Sequence, residues 1–516
     1  MKKTLSMILS LMLCLGIVSA AAAKITYPLD TKTTLKWWIP MNGNLVTQLS
    51  TYNEHPVYQQ LMKDTGVNID FEHPAAGQEK EEFGLMLVSN EIPDVIQSFP
   101  NYYNGGVQAA YDDGMILDLT DLVKEYAPDY YKLISADEET WRQFTVNDRI
   151  LAFYTYWEEY NVTAQTITLR ADWLEQFGLK AEDMTTYDAI EAYFQGIKDH
   201  YPDVAPLYLS VNTREYYLGY NICPDWYQVD GKVCYYDDGD QSDYRAWLTR
   251  MHDWYEKDYI SADFASYKSN EARSLFSAGL IGAFCEPVGN VISDADSSGL
   301  SIAKSPYWRN SEDMPIEVYF PEGLEHNGGE GTVITTTCKD PVTAVKMLNY
   351  LYTDAGMMLT NYGIEGMSYT KDEDGTIKYT DLVIANPNFG TSVTHQLYRI
   401  HWAPNRKLAD TTCNPNIVKR QEIVDMRLMY GMPTETFNGK NKLPGGINLT
   451  IEENSERSSI MSNVDTYVKE MRLKFITGAE PLNDKSWSNY LAKLSEYGLD
   501  KAIAITQAAY DRYLQK

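Results

Sequence analysis

Apolar and polar residues alternate over Thr34 to Ile39, predicting an opening β-strand, and the apolar spacing then becomes helical over Val57 to Asp64, where Gly66 is placed to stop the helix. Val67 to Phe71 returns to the period of a strand. A second helix predicted over Glu79 to Val88 gives way at Ser89 to Pro93 to the short strand Asp94 to Ile96, and Gly114 to Leu119 with the helix after Thr120 continues the series. This succession of helices and short strands is an α/β layer pattern. Further along, Ser277 to Phe284 alternates small and apolar residues as a buried strand does, with Glu286 emerging at its end. Over Cys338 to Tyr369, Asp340 can cap a helix, Pro341 fits its first turn, and Ala344, Met347, Leu348 and Leu351 recur at helical spacing. That helix is read as running into the Gly-rich turn Tyr362 to Gly366, a pairing suited to the border of a cleft. Helices are also predicted near Ile417 to Leu428 and Ile451 to Thr477, and no internal repeat or low-complexity linker interrupts the chain.

The amino terminus changes the picture. Lys2 and Lys3 precede an apolar run from Leu5 to Val18, and Ser19 to Ala23 supplies small residues suited to a signal peptidase, so the mature chain is expected to begin near Lys24. The run is shorter than the roughly 20 residues a membrane span needs. Of the cysteines beyond this segment, Cys223 and Cys234 flank a stretch whose Asp230-Gly231 reads as a hairpin turn. Outside the cell that spacing permits a local disulfide, and five reduced, partly buried thiols are the alternative.

With 516 residues the chain can build at least two lobes with substantial cores. Its net charge of −28 repels nucleic acid and anionic membrane surfaces. Forty tyrosines and 11 tryptophans offer flat apolar faces with polar tips, which suits sugar rings, although most such residues serve as ordinary core.

Enzymatic chemistry finds little support. Glu158 and Glu159 beside Trp157 are the best carboxylate pair, but adjacent residues on a strand point to opposite faces and make a poor acid/base pair. The chain has no Gly-x-Ser-x-Gly, His-Glu-x-x-His or phosphate-loop motif. There is no Cys-x-x-Cys pair, and His395 and His401 lie six apart, so no zinc site is expected. The stretch Lys198 to Pro206 lacks the oxygen-ligand spacing of a calcium loop, and Asp372-x-Asp374-Gly375 reads as a surface hairpin. No cofactor is expected.

Several blocks together carry a family resemblance. Asp340-Pro341 with the aliphatic helix face, Asn349 to Tyr352, Asp354 to Gly356 and Asn361 to Tyr369 resemble the large solute-binding proteins of ABC importers, in their LipO-like branch. Thr65 to Val67, Leu85 to Asp94, Asp118 to Thr120, Arg170-x-Asp172-Trp173-Leu174, Phe475 to Gly478, Trp487 and Gly498 to Asp511 look like further blocks of that family, with Thr185-x-x-Asp188 read as a capping pair. The resemblance implies a two-lobe type 2 periplasmic-binding fold with a ligand cleft between the lobes. It divides the chain into a signal peptide (1–23), lobe one (24–160), lobe two (161–300), a return to lobe one (301–370) and lobe-two helices (371–516). It implies a monomer that takes a small polar solute, most simply an oligosaccharide, and passes it to permease subunits outside the cytoplasm. A peptide importer, a ligand-presenting sensor and a secreted carbohydrate-active enzyme are the alternatives. Leu13 directly before Cys14 departs from the family's lipobox, which disfavours a lipid anchor there.

Ligand contacts implied by the resemblance fall on Trp37, Trp38 and Asn44 at and after the first strand, and on Tyr102 and Tyr103 after the Asp94 strand. Tyr156 and Trp157 lie near the crossover, Asn212, Trp226 and Glu286 in lobe two, and Glu365 and Trp402 on later segments. On this reading Trp38→Ala and Trp157→Ala weaken ligand affinity at a near-unchanged melting temperature. A large loss of stability with unchanged affinity would instead mark core residues.

Overall fold

The computed structural model describes residues 25–515 except 90, 158–164, 237–241, 267, 288–290, 292–298, 318–326, 390, 401–404, 407–438, 445–446 and 448. The signal segment, Cys14, Glu158, Glu159, Trp402, Cys413 and the helix expected near Ile417 to Leu428 lie outside the described residues, as does the side chain of Trp157.

In strand β1 (Thr34–Trp38) exposed and buried positions alternate until Trp37 and Trp38, which are both buried, so both faces of the sheet are covered at this end. The helix Pro56–Thr65 starts where the His55 ring accepts the Val57 N–H, and it stops at Gly66, whose φ is 73°. A Cβ on Gly66 would lie 2.5 Å from the Leu29 carbonyl oxygen, so conformation and space both require glycine there. The chain continues through β2 (Asn68–Glu72), the helix Glu79–Ser89, β3 (Val95–Ile96) and β4 (Phe153–Trp157). Helical connections make β2 and β3 parallel to β1 on either side of it.

Next come β5 (Gln165–Arg170), β6 (Ala205–Leu207), β7 (Trp226–Val229), β8 (Lys232–Tyr235), β9 (Ile281–Pro287) and β10 (Ile302–Lys304). A second sheet forms in the order β10-β5-β9-β6, with β7 and β8 a separate hairpin. Asp230 and Gly231, with φ of 48° and 83°, make its turn in the left-handed conformation a tight hairpin requires. Strand β11 (Asn327–Ile334) then returns to the first sheet and pairs antiparallel with both β3 and β4. The hairpin β12 (Tyr369–Lys371) and β13 (Ile377–Tyr379) holds the Asp372–Gly375 turn, and β14 (Asn405–Arg406) joins β4 in parallel. The first sheet thus reads β14-β4-β11-β3-β1-β2.

Two large cores result, each built from separated pieces of chain. One gathers Leu35 to Tyr156 with Ile334 to Ile400, and the other Ile167 to Ile316 with Met461 to Ala502. Buried and half-buried tyrosines tie these pieces to the backbone: the hydroxyls of Tyr27, Tyr130, Tyr187, Tyr193 and Tyr352 donate to the carbonyls of Lys346, Ala152, Tyr216, Gly282 and Tyr154 at 2.6 to 3.0 Å.

Several expectations need correction. The return to the first lobe does not begin at 301, because β10 pairs with β5 and Trp308 and Ile316 belong to the second core. Leu397 and Ile400, expected in the second lobe, pack in the first core. Short apolar runs signal burial without naming the sheet they bury against. Asp340 caps its helix as expected, accepting from the Thr343 N–H, but that helix ends at Tyr350 and a second, capped by Thr353, spans Asp354–Tyr362. Thr186, not Thr185, caps the helix Tyr187–His200. Of the two alternatives open for Cys223 and Cys234, the structure has the reduced one, both being free buried thiols. The hairpin register opposes Cys234 to Tyr227, four residues beyond Cys223, which leaves no cross-strand pair to bridge.

His55 is a buried group whose titration bears on this fold. Its Nδ1 accepts from the Val57 N–H and its Nε2 donates to the Gln396 carbonyl at 2.8 Å, joining the first helix to a segment 341 residues away. Burial lowers its pKa to about 4 from 6.5. Because the unfolded ring protonates first, the stability this neutral histidine contributes is complete above about pH 6.5 and erodes down to about pH 4. Denaturant unfolding between pH 7 and pH 5 is expected to show the wild type losing about 2 kcal/mol more than His55→Asn, and parallel curves would contradict this.

Candidate functional site

Strand direction defines the site. Since β11 runs antiparallel to both β3 and β4, strands β1, β3 and β4 all point the same way and end on one edge of the first sheet. The chain leaves from that edge after Trp157 and re-enters it at Asn327. In the second sheet Gln165 opens β5 opposite Pro287, so the carboxyl ends of β6, β9 and β10 lie on the side where the chain arrives. Open α/β sheets bind ligands at such carboxyl edges, where loops fan out and backbone N–H and C=O groups lose their ladder partners.

At the first sheet's edge lies a recess of about 410 Å³, a figure that includes solvent at its mouth. Trp37, Gln97, Phe153, Thr155, Glu330 and Thr332 line its sheet side, and Tyr58, Leu348, Leu351, Tyr352 and Ile400 cover it. A neighbouring recess of about 300 Å³ shares Tyr58, Gln97 and Ile400 with it and adds Asn42, Tyr52, His55, Gln396 and Arg399. The Trp37 indole N–H is buried at this border with no hydrogen-bond acceptor among the described residues.

Glu330 is held by an irregular piece of backbone. The pairing of β11 with β4 shifts register between Asn327 and Gly331, which marks a bulge. Within it Glu330 accepts from the Ser98 hydroxyl and, at 3.3 Å, from the Asn101 amide. Ser98 itself sits in the left-handed region at φ 56°, an uncommon conformation for serine that tertiary contacts must hold.

The sequence-derived candidates distribute unevenly around this geometry. Trp37 lines the recess, and its ring also packs on Tyr58 and Phe71 in the core. Trp38 points to the opposite face of β1, edge-on to Phe83 and Tyr102 in a separate packed cluster. Tyr102 and Tyr103 border that cluster, and burial together with the hydrogen bond its hydroxyl donates to Asp113 at 2.6 Å pushes the Tyr103 pKa up to about 12. Asn44 is exposed on the loop after β1, and Tyr156 is buried against Phe144. Of Trp157 only the backbone is described, paired with Arg406.

In the second lobe Glu286 is buried on β9, opposite Thr166. Asn212 is exposed, yet its Oδ1 accepts from Arg472 at 3.1 Å. Arg472 is buried and also donates to the hydroxyls of Tyr217 and Tyr236, so a permanent cation orients the Asn212 amide. Trp226 lies half-buried between Tyr235 and the Arg457 guanidinium. Glu365 is exposed in a turn fastened by Ser368 and lines neither recess. Tyr58, Gln97, Thr155, Glu330 and Thr332 escaped sequence reasoning. The one available signal was Gly328, Gly329 and Gly331 clustered around a lone acid inside a strand, which marks a bulge.

Two of the buried cysteines are held as neutral thiols. Burial pushes the Cys223 thiol up to about 12 and the Cys338 thiol up to about 11, far from a reactive thiolate. Among the described residues no group of three or more His, Cys, Asp and Glu side chains is placed to hold a metal ion.

Residues 50–358 match the family described as bacterial extracellular solute-binding protein. The chain belongs to that family. This solute-binding protein is 23% identical to the fructooligosaccharide ABC transporter substrate-binding protein FusA of Streptococcus pneumoniae serotype 4, over 95% of its own length and 92% of FusA's. Lipoprotein LipO of Bacillus subtilis is also 23% identical, over 66% of this chain and 68% of LipO. The fold matches the crystal structure of the alginate-binding protein AlgQ2 without calcium ion at a TM-score of 0.70 and 20% identity, covering 95% of this chain and 100% of AlgQ2. The two-lobe α/β fold implied by the sequence is therefore the fold of this solute-binding protein.

Burial revises the expectation for Trp38. Trp38→Ala empties a packed cluster and is expected to cost about 3–5 kcal/mol of stability. Calorimetric melting of the variant measures this, and an unchanged melting temperature would return Trp38 to the list of ligand contacts.

Proposed function

We propose that this protein is the extracytoplasmic substrate-binding component of an ABC importer, capturing an oligosaccharide between its lobes and delivering it to a membrane permease. The observation that carries this reading is near full-length similarity to a fructooligosaccharide-binding relative, together with a recess at the sheet edge where the chain crosses between lobes. An alginate-binding structural relative points to the same ligand class. The recess combines aromatic and aliphatic walls with amide, hydroxyl and carboxylate groups, a mixture that suits a sugar's apolar faces and its hydroxyls.

Transport follows from closure. A ligand touching both lobes binds the shut form more tightly than the open one, and a permease that recognises the shut form then receives loaded protein selectively. The protein acts as a monomer without catalysis, on the outer side of the membrane. No described helix is long and apolar enough to cross a bilayer, and the signal segment read from the sequence directs export.

A thermal-shift screen against oligosaccharides, short peptides and other polar solutes tests this. Binding at 100 times the dissociation constant adds about 2.7 kcal/mol of apparent stability, so one class of oligosaccharide is expected to raise the melting temperature clearly. The sugar is expected to be recovered intact after long incubation. A response to peptides alone would overturn the carbohydrate assignment, and hydrolysis would overturn the non-catalytic one.

A further inference from the structure

Glu330 is the single charged side chain among the described residues that line the larger recess. Its known partners, the Ser98 hydroxyl and the Asn101 amide, are both neutral donors, and no lysine, arginine or histidine forms an ion pair with it among the described residues. A carboxylate has about four lone-pair positions, so two remain for a ligand. Around it stand Gln97, Thr155 and Thr332, each with further hydrogen-bonding groups. Arg399 lines the neighbouring recess but is already engaged within the protein.

The backbone keeps the carboxylate in place. Gly329 has φ of 78°, and a Cβ on Gly331 would come within 2.9 Å of the Tyr154 ring and 3.0 Å of Pro100. The bulge thus brings β11 close against its neighbours while turning Glu330 toward Ser98 at the carboxyl end of β3. Among the described residues no cation stands beside this carboxylate, which borders a partly open recess.

We propose that Glu330 is the specificity-determining residue of the first-lobe recess. It accepts hydrogen bonds from hydroxyl groups of an uncharged sugar unit and excludes units that carry a carboxylate, such as uronates. The chemistry is one-sided: an ionised acceptor makes stronger hydrogen bonds to O–H donors than a neutral one does, and a second carboxylate brought beside it meets like-charge repulsion in a partly desolvated site. The chain's net charge of −28 adds to that repulsion. This inference rests on the carbohydrate-binding reading and divides it, because its relatives include binders of both a neutral sugar polymer and an acidic one by name.

Isothermal titration of the purified protein separates the possibilities. The neutral probes are kestose, maltotriose, cellotriose and mannotriose, and the anionic probes are trigalacturonate and an alginate trisaccharide. The wild type is expected to bind at least one neutral probe about 100-fold more tightly than either anionic one. Glu330→Gln keeps the shape and the melting temperature, and is expected to weaken neutral binding about tenfold while narrowing the neutral-to-anionic ratio. Tight binding of a uronate oligomer by the wild type, or an unchanged ratio in Glu330→Gln, would overturn the proposal while leaving carbohydrate binding intact. Binding of peptides with no saccharide bound would overturn the carbohydrate reading itself, and the proposal with it. A wild-type preference for a uronate overturns the proposal even if Glu330→Gln does not fold, and Glu330→Asp, which keeps the charge and shortens the reach, is then expected to weaken neutral binding while still excluding the uronates.

Discussion

The insertion of one antiparallel strand between β3 and β4 is the constraint on which the rest of the molecule depends. Without β11, the β1-β2-β3 unit and the crossing strand β4 would be separate ribbons with no common edge. With it, two antiparallel steps set β4 parallel to β1 and β3, and their carboxyl ends align where the chain departs for the second lobe. The recess and the bulge that carries Glu330 both lie along that one strand. Hydrogen bonding between β-strands thus does the work of bringing residues about 300 positions apart into a single site.

Local chemistry was legible in the sequence wherever a short-range rule sufficed. Asp340 and Pro341 open their helix as capping preferences require, Gly66 closes another, and Asp230-Gly231 turns a hairpin. The long helix Ile451–Thr477 has the predicted bounds, and its Thr450–Glu453 capping box explains its start. Partnership between distant pieces was not legible. The resemblance assigned the stretches around Ile302 and Leu397 to lobes, but a sheet edge and a core formed elsewhere in the chain decided where each packs.

The candidate site shows the same divide more sharply. Trp37 and Trp38 are neighbours in sequence with the same chemistry, yet the pleat sends one to the recess and the other to a closed cluster. Glu330 lies in a glycine cluster that reads locally as loop, and only pairing with β4 turns that cluster into a bulge. Asn212 was visible as a polar loop residue, whereas the guanidinium that orients it arrives from a helix 260 residues later. Site residues supplied by long-range register are invisible to any reading of local pattern.

The buried tyrosines alter the meaning of the chain's most unusual composition. Rather than a surplus of sugar-facing rings, many are fasteners whose hydroxyls close off backbone carbonyls between remote segments. Burial raises the pKa of each of these phenols, that of Tyr27 to about 12. A phenol held above its unfolded value favours the folded state at neutral pH and withdraws that support as the solution becomes strongly alkaline. The phenols that fasten the fold are thus also its alkaline fuse: ionisation of one removes a donor shared between remote segments, so base loosens the two cores from within rather than fraying them from the surface.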